Sequence, residues 1–349
     1  MEEGTVVTDE DKAKRLLAGY KGVSERTKKR GKFDDSKLEE VEKYLQENKE
    51  DFGTQRPQAD YNNKIRLEEL EQALGKLKKS EVGPDGIPNW AYKNSTISLK
   101  AALLALFNLS FSKGQFPDSY RLADIVSLPK VGKDKTLPEN YRPISLTNTI
   151  SRIFESIIHK RLYAYCEINK VLPQTQFAYR KNRSSIDPLI LITQDIKWGF
   201  KRSFTTRMIQ LDITKAFDTV WLDGLRYKLH KIGLRNHLLT WLSSYIESRK
   251  YRVITPSVTE YVDFEDGVPQ GSCLSPLLFT IFLSDIVNDL KCDHAEFADD
   301  FTLWKTVTKG RVDLEDIKHD LQVIEEWSSK WRISFGEKCS QTLFKTRNI

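Results

Sequence analysis

Phe297-Ala298-Asp299-Asp300 constrains the fold of this chain more than any other four residues. Ala295 and Phe297 on one side of the acidic pair, and Phe301 and Leu303 on the other, alternate with polar positions. Such alternation marks strands with one buried face, and a short polar break between two of them marks a hairpin. An Asp-Asp pair is also an ordinary surface turn. Here the flanking pattern puts two like charges at the tip of a half-buried sheet, where a cation would relieve their repulsion. Far upstream, Gln210-Leu211-Asp212-Ile213 ends a second alternating run, with Ile209, Leu211 and Ile213 on one side and Met208, Gln210 and Asp212 on the other. Carboxylates at two strand ends are what a site needs to hold two divalent cations for phosphoryl transfer.

Composition sets broad limits. The 349 residues are 39% hydrophobic and 30% charged, as in a soluble globular protein long enough for two or three compact units. The net charge of +6, from 55 basic and 49 acidic residues, is compatible with a polyanionic partner without requiring one. The acidic, polar start MEEGTVVTDEDK gives no expectation of a secretory signal. The longest apolar stretch, Leu277–Ile286, is interrupted by Ser284 and Asp285, so no membrane span is expected. Cytoplasm, nucleus or both are the expected compartments. Cys166, Cys273, Cys292 and Cys339 stand far apart without a C-x-x-C pair, which predicts free thiols and no structural zinc.

Residues 1–60 are charged and poor in large apolar side chains, and predict a solvated extension, partly disordered or loosely helical. Lys28-Lys29-Arg30 with Lys32 is a short basic cluster within it, a candidate nucleic-acid-binding arm. Helices are expected from Ile65 to Leu77, before the rigid turn Val82–Pro88, and over Leu99–Phe111, Ile150–Tyr165, Asp187–Phe200, Leu222–Ile232, His237–Ser248 and Leu314–Trp331. His159, Lys160 and Arg161 form an expected basic outer face on the third of these. Ser275-Pro276 predicts a further helix start, with Ser275 as N-cap. Strands are expected at Asp124–Leu128, Arg207–Ile213, Tyr251–Thr255, Thr259–Phe264 and Gln341–Phe344.

The order of these pieces resembles the reverse transcriptase domain of non-LTR, LINE-type retrotransposons, closest to the jockey-like elements. The resemblance runs from about Ile65 to Phe344. It rests on Gly83-Pro84-Asp85-Gly86; Leu128-Pro129-Lys130 with Tyr141-Arg142-Pro143-Ile144-Ser145; Gln176-Phe177-Ala178-Tyr179-Arg180; Asp212 to Asp218; Gly267 to Pro276; and Phe297 to Asp300. Six motifs in order make a specific match, unlike a lone short one.

The resemblance implies an α+β fold: a right-hand polymerase with fingers (61–205) and palm (206–349), and an antiparallel palm sheet packed on helices. It implies two Mg²⁺ ions, with Mn²⁺ as a substitute, held by Asp212, Asp299, Asp300 and the Ile213 backbone. Phe217 falls where the family keeps an aromatic beneath the incoming sugar, although ordinary core packing explains a phenylalanine equally well. Gln270 and Gly271 match the nucleotide-binding turn, with Gly267 and Gly271 letting backbone approach substrate. Lys130 and Arg142 match residues that grip the triphosphate. Lys338 matches a lysine suited to protonating pyrophosphate. Arg180, Lys181 and Arg183 are expected at the template–primer. RNA template, DNA primer and dNTPs are the implied partners, and the oligomeric state is left open.

The chain departs from the family pattern at three places. Ala178 replaces a common glycine, and the Phe335-Gly336-Glu337-Lys338 stretch is one residue short and lacks an asparagine. Few residues follow Lys338, so the thumb is expected to be absent or incomplete, with any endonuclease supplied by a longer parent polyprotein. The alternative to a polymerase is a decayed, inactive fingers–palm module that binds nucleic acid or protein. A two-metal nuclease fits poorly, because Phe217 and Gln270 suit a nucleoside triphosphate.

Overall fold

The computed structural model describes residues 8–25, 32–52, 60–78, 82–308 and 314–346. Helix α1 (Asp9–Ser24) opens on a capping box: the Asp11 amide donates to Thr8 Oγ1 at 3.1 Å, and the Thr8 amide donates to the Asp11 carboxylate at 3.3 Å. α2 (Asp35–Glu47) starts at Asp34, whose carboxylate caps the Ser36 and Lys37 amides. α3 (Leu67–Gly75), the short α4 (Asn89–Lys93) and α5 (Ile97–Lys113) follow, and α5 stops at Gly114 in the left-handed conformation.

Strands β1 (Leu122–Pro129) and β2 (Tyr141–Thr147) form a hairpin. Then come α6 (Thr149–Ile168), α7 (Ile186–Lys201), β3 (Thr205–Asp212), α8 (Leu222–Lys231) and α9 (Asn236–Ile246). The remainder is β4 (Lys250–Ile254), β5 (Val262–Asp263), α10 (Ser275–Leu283), β6 (Asp293–Phe297), β7 (Asp300–Val307), α11 (Glu315–Trp331) and β8 (Ser340–Phe344).

Two four-stranded sheets result. One has the order β6-β7-β3-β8 and is antiparallel throughout. One face of it sends Ile209, Leu211, Phe301 and Leu303 into the main core with Phe279 and Phe282 of α10. The opposite face carries Met208 and Trp304, covered by Ile192 and Ile196 of α7. The second sheet, β2-β1-β4-β5, is mixed, because β1 runs parallel to β4 with Ile125 opposite Val253. β4 and β5 come from beyond residue 206, so no single cut in the sequence separates the two sheets.

The structure corrects three expectations. Two helices within the first 60 residues pack on the body rather than standing solvated: α1 buries Ala13, Leu16, Leu17 and Tyr20 against Ile125, Tyr141 and Val253, while α2 buries Leu38 and Val41 in the main core. Lys28, Lys29 and Arg30 lie outside the described residues. Arg161 is not on an outer face; it is buried and bonds bidentately to Glu69, at 2.9 and 2.8 Å. Ser275 is the first residue of α10 and Leu274 its N-cap; Ser272 Oγ, one turn earlier, accepts the Leu274 amide at 3.0 Å. The four cysteines are free, and no described helix is long and apolar enough to cross a membrane.

Candidate active site

β3 and β7 stay in register down to Asp212 opposite Asp300. Directly opposed residues share a face, so both carboxylates project from the side away from the main core. Ala298 and Asp299 make the two-residue turn between Phe297 and Asp300, with Ala298 at φ +60°. Burial, then the charges of Asp299 and Asp212, push the Asp300 carboxyl above its ordinary pKa, with Lys338 opposing them.

The loop between α11 and β8 closes on the same strand end. The Gly336 amide donates to the Asp212 carbonyl at 2.7 Å and the Thr214 amide to the Ser334 carbonyl at 2.8 Å, pairing Ile213 with Phe335. A Cβ on Gly336 would sit 3.0 Å from Asp212 Oδ2, so this approach suits glycine. Lys338 Nζ reaches to 3.9 Å from Asp212 Oδ2 across the shortened loop.

The Phe217 ring stacks on Phe279 at 5.0 Å, and the Phe217 carbonyl accepts the Val268 amide at 2.8 Å. The Gln270 carbonyl accepts the Ser145 amide at 2.6 Å, docking the turn on β2. Gly267 and Gly271 serve that docking. A Cβ at Gly271 would lie 2.6 Å from the Ser145 carbonyl oxygen, and one at Gly267 2.8 Å from that of Asp218. Both glycines are required by close approach to the protein's own backbone.

These parts line a cleft of about 750 Å³. Its lining includes the carboxylates of Asp212 and Asp299, with those of Asp218 and Glu337, and the cations of Lys130, Arg142 and Lys338, with Phe217 beside them. Burial, followed by repulsion from Lys338 and Arg142, lowers the Lys130 pKa, and Lys130 Nζ donates to the Glu139 carbonyl at 2.8 Å. Anions and cations lining one cleft suit a ligand that is itself a polyanion carrying metal ions.

Residues 128–349 match the sequence profile of the family described as reverse transcriptase (RNA-dependent DNA polymerase). The chain belongs to that family. It is 29% identical over 291 residues to the RNA-directed DNA polymerase from mobile element jockey of Drosophila funebris, covering 80% of this chain and 32% of the relative. The jockey counterpart of Drosophila melanogaster is 28% identical over 297 residues, 81% of this chain and 32% of the relative. The Pol polyprotein from retrotransposable element R2 of Popillia japonica is 26% identical over 229 residues, 65% of this chain and 31% of the relative. The chain thus spans about a third of the length of these curated relatives.

In this reverse transcriptase family member, two expected nucleic-acid contacts are occupied within the protein. Arg180 bonds bidentately to Glu167 and donates to the Pro173 carbonyl at 2.6 Å. Arg183 donates to the Gln174 side chain at 2.6 Å and the Gln176 carbonyl at 3.1 Å. Lys181 is exposed, near the Tyr163 ring. Two motif residues to which the sequence assigned no role also shape the site. Asp218 holds the Gln270 amide, and Gln176 lies against the carboxylate hairpin.

Among the described residues no three His, Cys, Asp or Glu side chains close into a ready-made metal cage. Asp212, Asp299 and Asp300 supply oxygen donors only, and the Asp300 pKa is raised first by burial and then by the charges of Asp299 and Asp212. A hard cation that keeps water and phosphate oxygens as ligands fits such a donor set, whereas tetrahedral zinc does not.

Proposed function

We propose that this chain is the RNA-directed DNA polymerase domain of a jockey-like, non-LTR mobile element, adding dNTPs to a DNA primer on an RNA template. The observation that carries this reading is the cleft in which Asp212 and Asp299 share the walls with Lys130, Arg142 and Lys338, with Phe217 beside them. Asp212, Asp299, Asp300 and the Ile213 carbonyl would hold two Mg²⁺ ions, or Mn²⁺ in their place. When bound, the metals lower the pKa of the primer 3′-hydroxyl and neutralise charge on the triphosphate.

The protein's own groups do the remaining work. Arg142 has no ion pair among the described residues and presents a fork suited to phosphate; Lys130 adds a second cation. Phe217, braced by Phe279, fills the volume a 2′-hydroxyl would need. Gln270, fixed by Asp218 and Ser145, floors the nucleotide pocket. Lys338 is placed to donate a proton to departing pyrophosphate. Lys181 remains for the template–primer, in cytoplasm or nucleus. Fingers over 61–205 and palm over 206–349 describe the two sheets, with β4 and β5 returning to the fingers.

Extension of a DNA primer on an RNA template with Mg²⁺ and dNTPs tests this. The wild type should give template-dependent product, and the double variant Asp299→Ala, Asp300→Ala should not. Equal yields from the two would leave an inactive binding module as the better description.

A further inference from the structure

We infer that Gln176 is a positioning residue for the carboxylate hairpin, locking the turn that carries Asp299. Its side chain is buried, 2% exposed, on a segment that adds itself to the edge of the β6-β7-β3-β8 sheet. The Phe177 amide donates to the Glu296 carbonyl and the Glu296 amide to the Thr175 carbonyl, both at 2.9 Å. From this platform Gln176 Oε1 accepts two backbone amides: Ala178 at 2.9 Å and Ala298 at 3.3 Å. Both partners are N–H donors, so the side-chain oxygen, not the nitrogen, must face them.

Ala298 is the residue that needs holding. Its φ of +60° is left-handed, which disfavours a side chain by about 1–2 kcal/mol. A buried, unpaired amide would add a further cost. Gln176 satisfies that amide at the residue immediately before Asp299. Arg180 and Arg183 complete the support by tying down the Pro173, Gln174 and Gln176 backbone carbonyls. Three polar residues of one short segment, Gln176, Arg180 and Arg183, therefore brace the hairpin from behind, and the edge that carries Asp299 is set by a segment far away in sequence.

The kinetic part of this inference rests on the polymerase reading; the geometric part does not. Hydrogen exchange at the Ala298 amide of the wild type should be strongly slowed, and exchange at the unprotected rate overturns the inference. Gln176→Met keeps the volume and removes the acceptor. It should speed Ala298 exchange at least tenfold and raise the Mn²⁺ concentration for half-saturation at least fivefold, measured by direct binding. If primer extension is active, the Mg²⁺ midpoint should rise in parallel while the dNTP KM stays unchanged. Adding Ala298→Gly, which adopts the left-handed turn freely, should recover at least half of the loss on a logarithmic scale. Should Gln176→Met not fold, Gln176→Asn, with its oxygen drawn back, carries the same expectations. A lower melting temperature with unchanged metal affinity and unchanged Ala298 exchange would show Gln176 to be packing alone. A wild type with no polymerase activity refutes the polymerase reading and leaves the exchange and Mn²⁺ tests standing.

Discussion

Gln270 Nε2 donates to both carboxylate oxygens of Asp218, each at 2.9 Å. The pair ties the turn after Phe217 to the Gly267–Gly271 loop, so two motifs distant in sequence are joined directly. Burial pushes the Asp218 pKa up to about 6, although Gln270, Lys215 and Lys130 all favour the charged form.

That shift has a definite sign. Between the ordinary 3.8 and about 6, the folded chain holds a proton that the unfolded chain releases. The contribution to stability is therefore complete below about 3.8 and lost as pH rises through about 6. Glu296, pushed up to about 7 by burial, acts in the same direction. Asp218→Asn should make the melting temperature less dependent on pH across this window. Parallel curves for variant and wild type would refute the assignment.

Phe217 stacked on Phe279 predicts a sugar gate held in place by the core. Phe217→Ala should lower the ratio of kcat/KM for dNTP over rNTP at least about tenfold, within the range for steric discrimination. Steady-state incorporation of matched dNTP and rNTP measures it, and an unchanged ratio would return Phe217 to ordinary core packing.

Arg161 makes a test of stability that is independent of function. Its guanidinium bonds to both oxygens of Glu69 and donates to the Asn63 and Lys64 carbonyls, with both partners nearly buried. Glu69→Ala leaves that cation without its carboxylate and should destabilise the fold by about 3–5 kcal/mol in denaturant unfolding. A loss under 1 kcal/mol, the scale of a surface pair, would mean that the pair is solvated.

Lys338, 3.9 Å from Asp212 Oδ2, predicts a loss in turnover rather than binding. Lys338→Ala should lower kcat about 10²-fold, the lower range for a general acid, with the dNTP KM nearly unchanged. A rise in KM alone would recast the lysine as a phosphate contact.

Much of the carboxylate hairpin was legible in advance, because period-two alternation around Asp212 and Asp299-Asp300 is local information. The apolar helix α5 and the striped helices α7 and α11 fall close to their expected bounds for the same reason. What stayed hidden depends on contacts between distant residues. The parallel pairing of β1 with β4 leaves no trace in either strand. The burial of Arg161 depends on where Glu69 arrives. Ala13, Leu16, Leu17 and Tyr20 do repeat at helical spacing, but the surrounding charge outweighs that stripe when composition is read alone. The internal bonds of Arg180 and Arg183 were equally hidden, because a guanidinium suits phosphate and backbone carbonyls alike.

The most direct test of the central claim is the rate of single-dNTP addition to an RNA-templated DNA primer, measured against Mg²⁺ concentration in the wild type and in Asp212→Asn. Two ions held by the paired strand ends predict a rise steeper than first order at low Mg²⁺. They also predict a rate in the variant lower by at least about 10³-fold, more than 4 kcal/mol of lost transition-state stabilisation. Asp212→Asn adding nucleotides at the wild-type rate, with the same Mg²⁺ dependence, would contradict the account.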